Sequence, residues 1–228
     1  MTLKTHGVNI SREKIVDKSG ESLKSWALTH LRWFGQSAFA LRTEAGQAVF
    51  IDPFRVPARV GPADLILITH PHQDHYDKKS VEGLRKEGTT IVLPRSCGEP
   101  GLEALAAGES RRFGACTVTG IAAYNLTARF HPRSRGWLGY MIDVEGLRVY
   151  HAGDTDLIPE MKDLRPDIAL LPIGGLVSMG GRAGVEAADV MNAALCIPMH
   201  FGMLLGGRGA GARFVHRLGD GGLLLDRA

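Results

Sequence analysis

The chain has 228 residues, 44% hydrophobic and 22% charged, the mix of a folded globular protein, which excludes a largely disordered one. Its 27 Lys and Arg against 24 Asp and Glu give a net charge of +3, and the basic residues are scattered, so the charge by itself does not argue for nucleic acid. No apolar run approaches the roughly 20 residues that span a bilayer, the opening MTLKTHGVNISREK lacks the apolar stretch of a secretory signal, and Cys97, Cys116 and Cys196, with no CxxC pattern, suit a reducing cytoplasm.

Residues 1–25 are polar, broken at Ser19-Gly20-Glu21-Ser22, and read as an N-terminal extension ahead of a single domain over 26–228. From His30 the segments HLRWF, SAFALR and QAVFID, separated by Gly35 and Gly46, predict a meander of antiparallel strands. LILIT (65–69) is too short for a helix and reads as a buried strand; a surface helix follows over 78–87, then the strand TTIVLP. In the second half RFGACTVTGIAAY, LGYMIDV and LRVYHA predict strands, the last two joined by a hairpin turn at Glu145-Gly146. LIPEMKDL reads as helical, IALLPI as a buried strand, and VEAADVMNAAL as a helix with apolar positions three and four apart. CIPMHF and GGLLLD read as short strands with the helix ARFVHRL between them. Strands clustered in each half, with helices between, predict an α/β fold of sheets covered by helices.

The chemistry concentrates in Thr69-His70-Pro71-His72-Gln73-Asp74-His75: three histidines and an aspartate in six residues, directly after a buried strand. A strand that ends in a loop holds its first ligands rigidly, and imidazole with carboxylate suits Zn²⁺ or a similar divalent ion. His70 and His72, two apart in an extended segment, fall on one side; Asp74 and His75, after the turn, are placed to face a second ion. Asp154 in HAGDT and His200 in IPMHFG repeat the design of strand, polar residue and glycine turn. Alone, Asp154 reads equally as a helix N-cap and His200 as a core histidine; beside the first cluster both read as ligands. Arg133 and Arg135 flank His131, either as an anion clamp or as a solvated basic loop.

THPHQDH resembles the THxHxDH signature of the metallo-β-lactamase superfamily, and IDPF, HAGDT and PMHFG follow in that superfamily's order. The resemblance covers roughly residues 30–228. It implies a four-layer αβ/βα sandwich with the metal site at the edge between the two β-sheets, and it makes Asp52 of IDPF a buried orienter of the metal-binding loop. AYN, HPxxxGxxGY and YHAGDTD look most like the branch that includes L-ascorbate-6-phosphate lactonase and uncharacterised metal-dependent hydrolases. Two departures stand out: Asn125 occupies a position where the family usually offers a histidine, and Gln36 one where the branch often does; Gln36 is assigned no role.

These readings predict a hydrolase that uses one or two divalent ions, Zn²⁺ or Mn²⁺, and a metal-bound hydroxide. His70 and His72 would hold the first ion with Asn125 or His131 as third contact; Asp74, His75 and His200 would hold the second; Asp154 would bridge. Asp74 would also handle the proton of the attacking water. The substrate is expected to be a small, anionic lactone or phosphoester met by Asn125, His131 and Arg133. Alternatives are a nuclease or phosphodiesterase, which the absence of a basic stripe disfavours, and a non-catalytic metal-binding sensor or scaffold. No membrane partner is expected, and a homo-oligomer is left open.

Overall fold

In the computed structural model, which describes residues 18–127, 130–207 and 209–228, two six-stranded sheets follow one another along the chain. The first holds β1 (Leu31–Gly35), β2 (Ala38–Arg42), β3 (Ala48–Ile51), β4 (Leu65–Leu67), β5 (Thr90–Pro94) and β6 (Glu103–Leu105), in that order. The second holds β7 (Ser110–Phe113), β8 (Cys116–Ala122), β9 (Leu138–Val144), β10 (Leu147–His151), β11 (Ile168–Pro172) and β12 (Leu195–Met199). Each sheet begins antiparallel, as its short turns allow, and becomes parallel where longer connections intervene, from β3 onward in the first sheet and from β10 onward in the second.

Period-two alternation decides which side chains meet. Val49 and Ile51 of β3 and Leu65 and Leu67 of β4 enter the core shared with the second sheet. Their neighbours Phe50, Ile66 and Ile68 face the other way, into a smaller core. That smaller core is closed by Val81 and Leu84 of α2 (Lys78–Leu84). On the second sheet, α3 (Gly181–Met191) packs on β11 and α4 (Ala210–Leu218) on β12. The result is helix, sheet, sheet, helix, with β3, β4, β11 and β12 buried on both faces, which is why these strands read as continuous apolar runs. No helix among the described residues is long and apolar enough to cross a membrane.

Five features depart from the sequence reading. A helix, α1 (Gly20–His30), straddles the expected boundary at residue 25, because Leu23, Trp26 and Ala27 are buried in the main core; residues 1–17 of the expected extension lie outside the described residues. The strand expected over 112–124 is a hairpin, β7 and β8, turned at Gly114, whose φ of +61° suits glycine. The helix expected over 157–164 is a short 3₁₀ segment, Pro159–Asp163. GGLLLD forms no strand: Gly222 makes an isolated bridge to Cys196, Leu225 is buried in the main core, and Arg227, the residue after the segment, bridges to Trp33. β6 was not anticipated, since Leu105 is its only buried side chain.

Gly139 in β9 tests the closeness of this packing. A Cβ there would lie 2.7 Å from the carbonyl oxygens of both His151 and Ala152, backbone that cannot give way cheaply. Gly139→Ala is expected to lower stability by about 1–3 kcal/mol, read as a lower denaturant midpoint at unchanged m-value.

Candidate metal centre

The site gathers at the carboxyl ends of the strands, where the chain leaves β3, β4, β10 and β12. Asp52 follows β3 with a φ of +46° and is fully buried. Its carboxylate accepts from the Thr69 amide (2.8 Å) and the Thr69 hydroxyl (2.7 Å), and from Nδ1 of His75 (2.7 Å). From the facing sheet, the Tyr140 hydroxyl donates to the Ile68 carbonyl at 2.7 Å and the Leu138 amide to the Thr69 carbonyl at 3.1 Å. The loop after β4 is thus held from both sheets before its histidines begin.

Three overlapping triads of donor atoms result, each within 4.8 Å: His70, His72 and His131; His70, His75 and Asp154; Asp74, His75 and His200. Asp154 lies centrally, with Oδ2 3.2 Å from Nε2 of His200, 3.5 Å from Nε2 of His75 and 3.6 Å from Nε2 of His131. His70 Nε2 and His72 Nδ1 stand 3.1 Å apart. Nδ1 of His75 is committed to Asp52, and Nδ1 of His131 lies 3.0 Å from Oδ1 of Asn125, so both rings present Nε2 inward. Those two Nε2 atoms and Asp154 Oδ1 are buried with no hydrogen-bond partner. A buried polar atom left unbonded costs about 1–3 kcal/mol, and a divalent cation is a partner that imidazole nitrogen and carboxylate oxygen share. The residues fit such an ion.

Their electrostatics suit the same role. Burial, then repulsion from His75, pushes His70 well below the usual imidazole range, and burial lowers His72 and His131 too, leaving neutral rings with free lone pairs. Burial opposes charge on His75 and His200, but Asp154 outweighs it: His75 is raised well above its ordinary value, with Asp52 assisting, and His200 is pushed up to about 9. Burial likewise opposes ionisation of Asp154 and Asp74. The neighbouring His75 and His200 nevertheless hold both below the usual carboxylate range.

The remaining expected residues divide. His131 joins the three-histidine cluster. Asn125 supports it: Oδ1 accepts from the His131 amide (3.2 Å), while Nδ2 donates to Asp156 Oδ1 (3.2 Å) and the Val177 carbonyl (3.0 Å). Arg133 is committed elsewhere, its exposed guanidinium paired with Glu160 at 2.9 Å and lying over the Tyr124 ring. Arg135, by contrast, acts electrostatically on His72. Two residues carry more than the sequence suggested. Trp137 packs its ring 4.9 Å from those of both His70 and His72. Gln36, buried in the turn between β1 and β2, reaches Asp74 and His200. Its position in WFGQSAF was visible, but a glutamine far along the chain from the histidine cluster gave no sign of its neighbours.

The family profile described as "Beta-lactamase superfamily domain" matches residues 30–200. A UPF0173 protein of Pyrococcus abyssi is 34% identical over 189 residues, covering 78% of this chain and 86% of that protein. A UPF0173 metal-dependent hydrolase of Methanosphaera stadtmanae is 31% identical over 198 residues, covering 75% of this chain and 83% of the relative. Among solved structures, a protein of Parabacteroides distasonis named as a metal-dependent hydrolase superposes with a TM-score of 0.73 at 28% identity, covering 86% of this chain and 93% of that one.

Two substitutions separate holding an ion from folding. His72 is half-exposed, so His72→Ala is expected to lower metal content while leaving thermal unfolding of the metal-free chain within about 2 °C. Asn125→Ala is expected to weaken metal binding about 10- to 100-fold by freeing the His131 ring; a titration showing wild-type affinity would remove that supporting role.

Proposed function

The chain belongs to the beta-lactamase superfamily, and from that membership we propose that it is a metal-dependent hydrolase of a small, anionic lactone or phosphoester. His70, His72 and His131 would hold one divalent ion and Asp74, His75 and His200 a second, Zn²⁺ or Mn²⁺, with Asp154 between them. What such ions supply when bound is Lewis acidity toward a water molecule and toward the electrophilic oxygen of the substrate.

The observation that carries this reading is the double position of Asp74. It belongs to a donor triad, and it also lines an open cavity of about 340 Å³ together with Phe54, Arg55, Gln73, Asp77 and Leu204. A substrate in that cavity meets the one half-buried carboxylate of the cluster, which is anionic and able to take a proton from an attacking water. Arg55 stands in the same cavity with its guanidinium 5.0 Å from the centre of the Phe54 ring, and Arg135 adds positive potential at His72. Two arginines around an ion cluster favour an anionic substrate, and guanidinium matches carboxylate and phosphate oxygens in pairs. Trp137 packs against His70 and His72 on the other side.

Metal analysis of the purified chain, paired with a screen of lactones, phosphomonoesters, phosphodiesters and thioesters, tests the proposal. Two ions per chain and turnover of a lactone or phosphoester are expected. Turnover of nucleic acid alone would move the protein to the nuclease class, and bound metal with no turnover of any class would make it a sensor or scaffold.

The anion-binding role has its own test. Arg55→Ala is expected to raise KM about tenfold for an anionic ester, the loss of one charge-assisted contact, and to leave a neutral ester unchanged. Arg133→Ala is expected to leave both constants unchanged, because its guanidinium serves Glu160. Equal effects on the two esters in Arg55→Ala would remove the clamp.

A further inference from the structure

We propose that Gln36 is itself a ligand of the second ion, contributing the amide oxygen of its side chain alongside Asp74, His75, Asp154 and His200; the inference rests on the two-ion reading above. Gln36 is fully buried, and its backbone is pinned from two sides: the Trp33 indole and the His200 amide both donate to its carbonyl at 2.9 Å. Its φ of +50° is uncommon for a residue with a side chain. That strain, together with the pinning, aims the side chain into the cluster rather than into the core.

The amide meets two other donor atoms of the site. Its Nε2 lies 3.0 Å from Asp74 Oδ2 and 3.1 Å from His200 Nε2, while its Oε1 is buried with no partner. A half-turn about the Cγ–Cδ bond exchanges the two ends of the amide, bringing the unpartnered oxygen to the place between Asp74 and His200. Without a cation, an oxygen there would face the Asp74 carboxylate on one side and could accept from His200 on the other; with one, it becomes a donor. The spacings agree. Donor atoms bonded to one ion at about 2.1 Å lie about 3.0–3.4 Å apart when adjacent. The amide position sits at 3.0 and 3.1 Å from its neighbours, and His200 Nε2 sits 3.4 Å from Asp74 Oδ2 and 3.2 Å from Asp154 Oδ2.

The consequence concerns which metal the site prefers. Three imidazoles at the first position suit Zn²⁺, whereas two carboxylates and an amide oxygen beside two imidazoles make the second position harder and better matched to Mn²⁺. Gln36 stands where the resembling branch often carries histidine, and as a ligand it would offer oxygen there in place of nitrogen.

The test is calorimetric titration of the chelator-stripped, full-length chain with Mn²⁺, with bound ions counted by metal analysis. Gln36→Met keeps the length of the side chain and removes its polar atoms; Gln36→Glu keeps an oxygen donor but cannot donate a hydrogen bond to Asp74. In Gln36→Met the second Mn²⁺ is expected to bind about tenfold or more weakly, with the first unchanged; in Gln36→Glu the second binds at least as tightly as in the wild type. Wild-type affinity in Gln36→Met overturns the proposal. So does a Gln36→Glu chain as weak as Gln36→Met, since the amide would then act by donating to Asp74. A wild-type chain that takes up fewer than two ions overturns the two-ion reading itself, before any variant is compared.

Discussion

The carboxylate of Asp52 is the constraint on which the rest of the site depends. A carboxylate with no exposure to water is untenable unless hydrogen bonds replace its hydration, and three do: two from Thr69 and one from His75. Satisfying Asp52 therefore closes the loop from Thr69 to His75 over it. The same act fixes which nitrogen of His75 faces inward. Asp52 is delivered to this place by the parallel register of β3 on β4, where Ile51 pairs with Leu67 and the Asp52 amide continues the ladder to the Leu67 carbonyl at 2.9 Å.

The second sheet completes the closure by backbone approach. Gly153, with φ of +64°, has no room for a side chain, since a Cβ would come within 2.9 Å of the Leu138 carbonyl oxygen and 3.2 Å of Thr69. That closeness brings Asp154, the next residue, against the loop from the first sheet. His151, at the end of β10, is a further strut: its Nε2 donates to the Ser37 carbonyl at 2.9 Å, tying β10 to the turn that carries Gln36. Three residues in and under the metal cluster, Gln36, Asp52 and His200, hold positive φ angles, as does Arg55 in the adjoining cavity. Each such conformation costs free energy, of order 1–3 kcal/mol, and persists here because packing from both sheets over-determines it.

The charge distribution follows from the same burial. Neutral imidazoles collect where His70, His72 and His131 crowd under Trp137, and charged pairs collect around Asp154 and Asp74. One end of the cluster is thus nitrogen-rich, with His70 and His131 buried, the other oxygen-rich and open to the cavity beside Asp74. A hydrolase needs both, a firmly held ion and a wet face where water and substrate enter.

Much of this was written in local sequence. The spacing of His70, His72, Asp74 and His75 after an apolar strand, and the repeated pattern of strand, polar residue and glycine at Asp154 and His200, follow from residue type and periodicity alone, because a ligand loop rooted in a buried strand carries both signals within a few residues. The α/β class was legible for the same reason, through short apolar runs alternating with helical patterns, whereas the four-layer sandwich was implied only by the resemblance of the motifs to a known superfamily. What only the tertiary structure decided are relations between residues far apart in the chain: the pairing of Arg133 with Glu160, the tie of Asn125 to Asp156 and to the Val177 carbonyl, the approach of Trp137 to His70, and the approach of Gln36 to His200 across 164 positions. None of these has a local pattern, since a side chain's partner is set by how two sheets pack face to face, and single residues do not encode that packing.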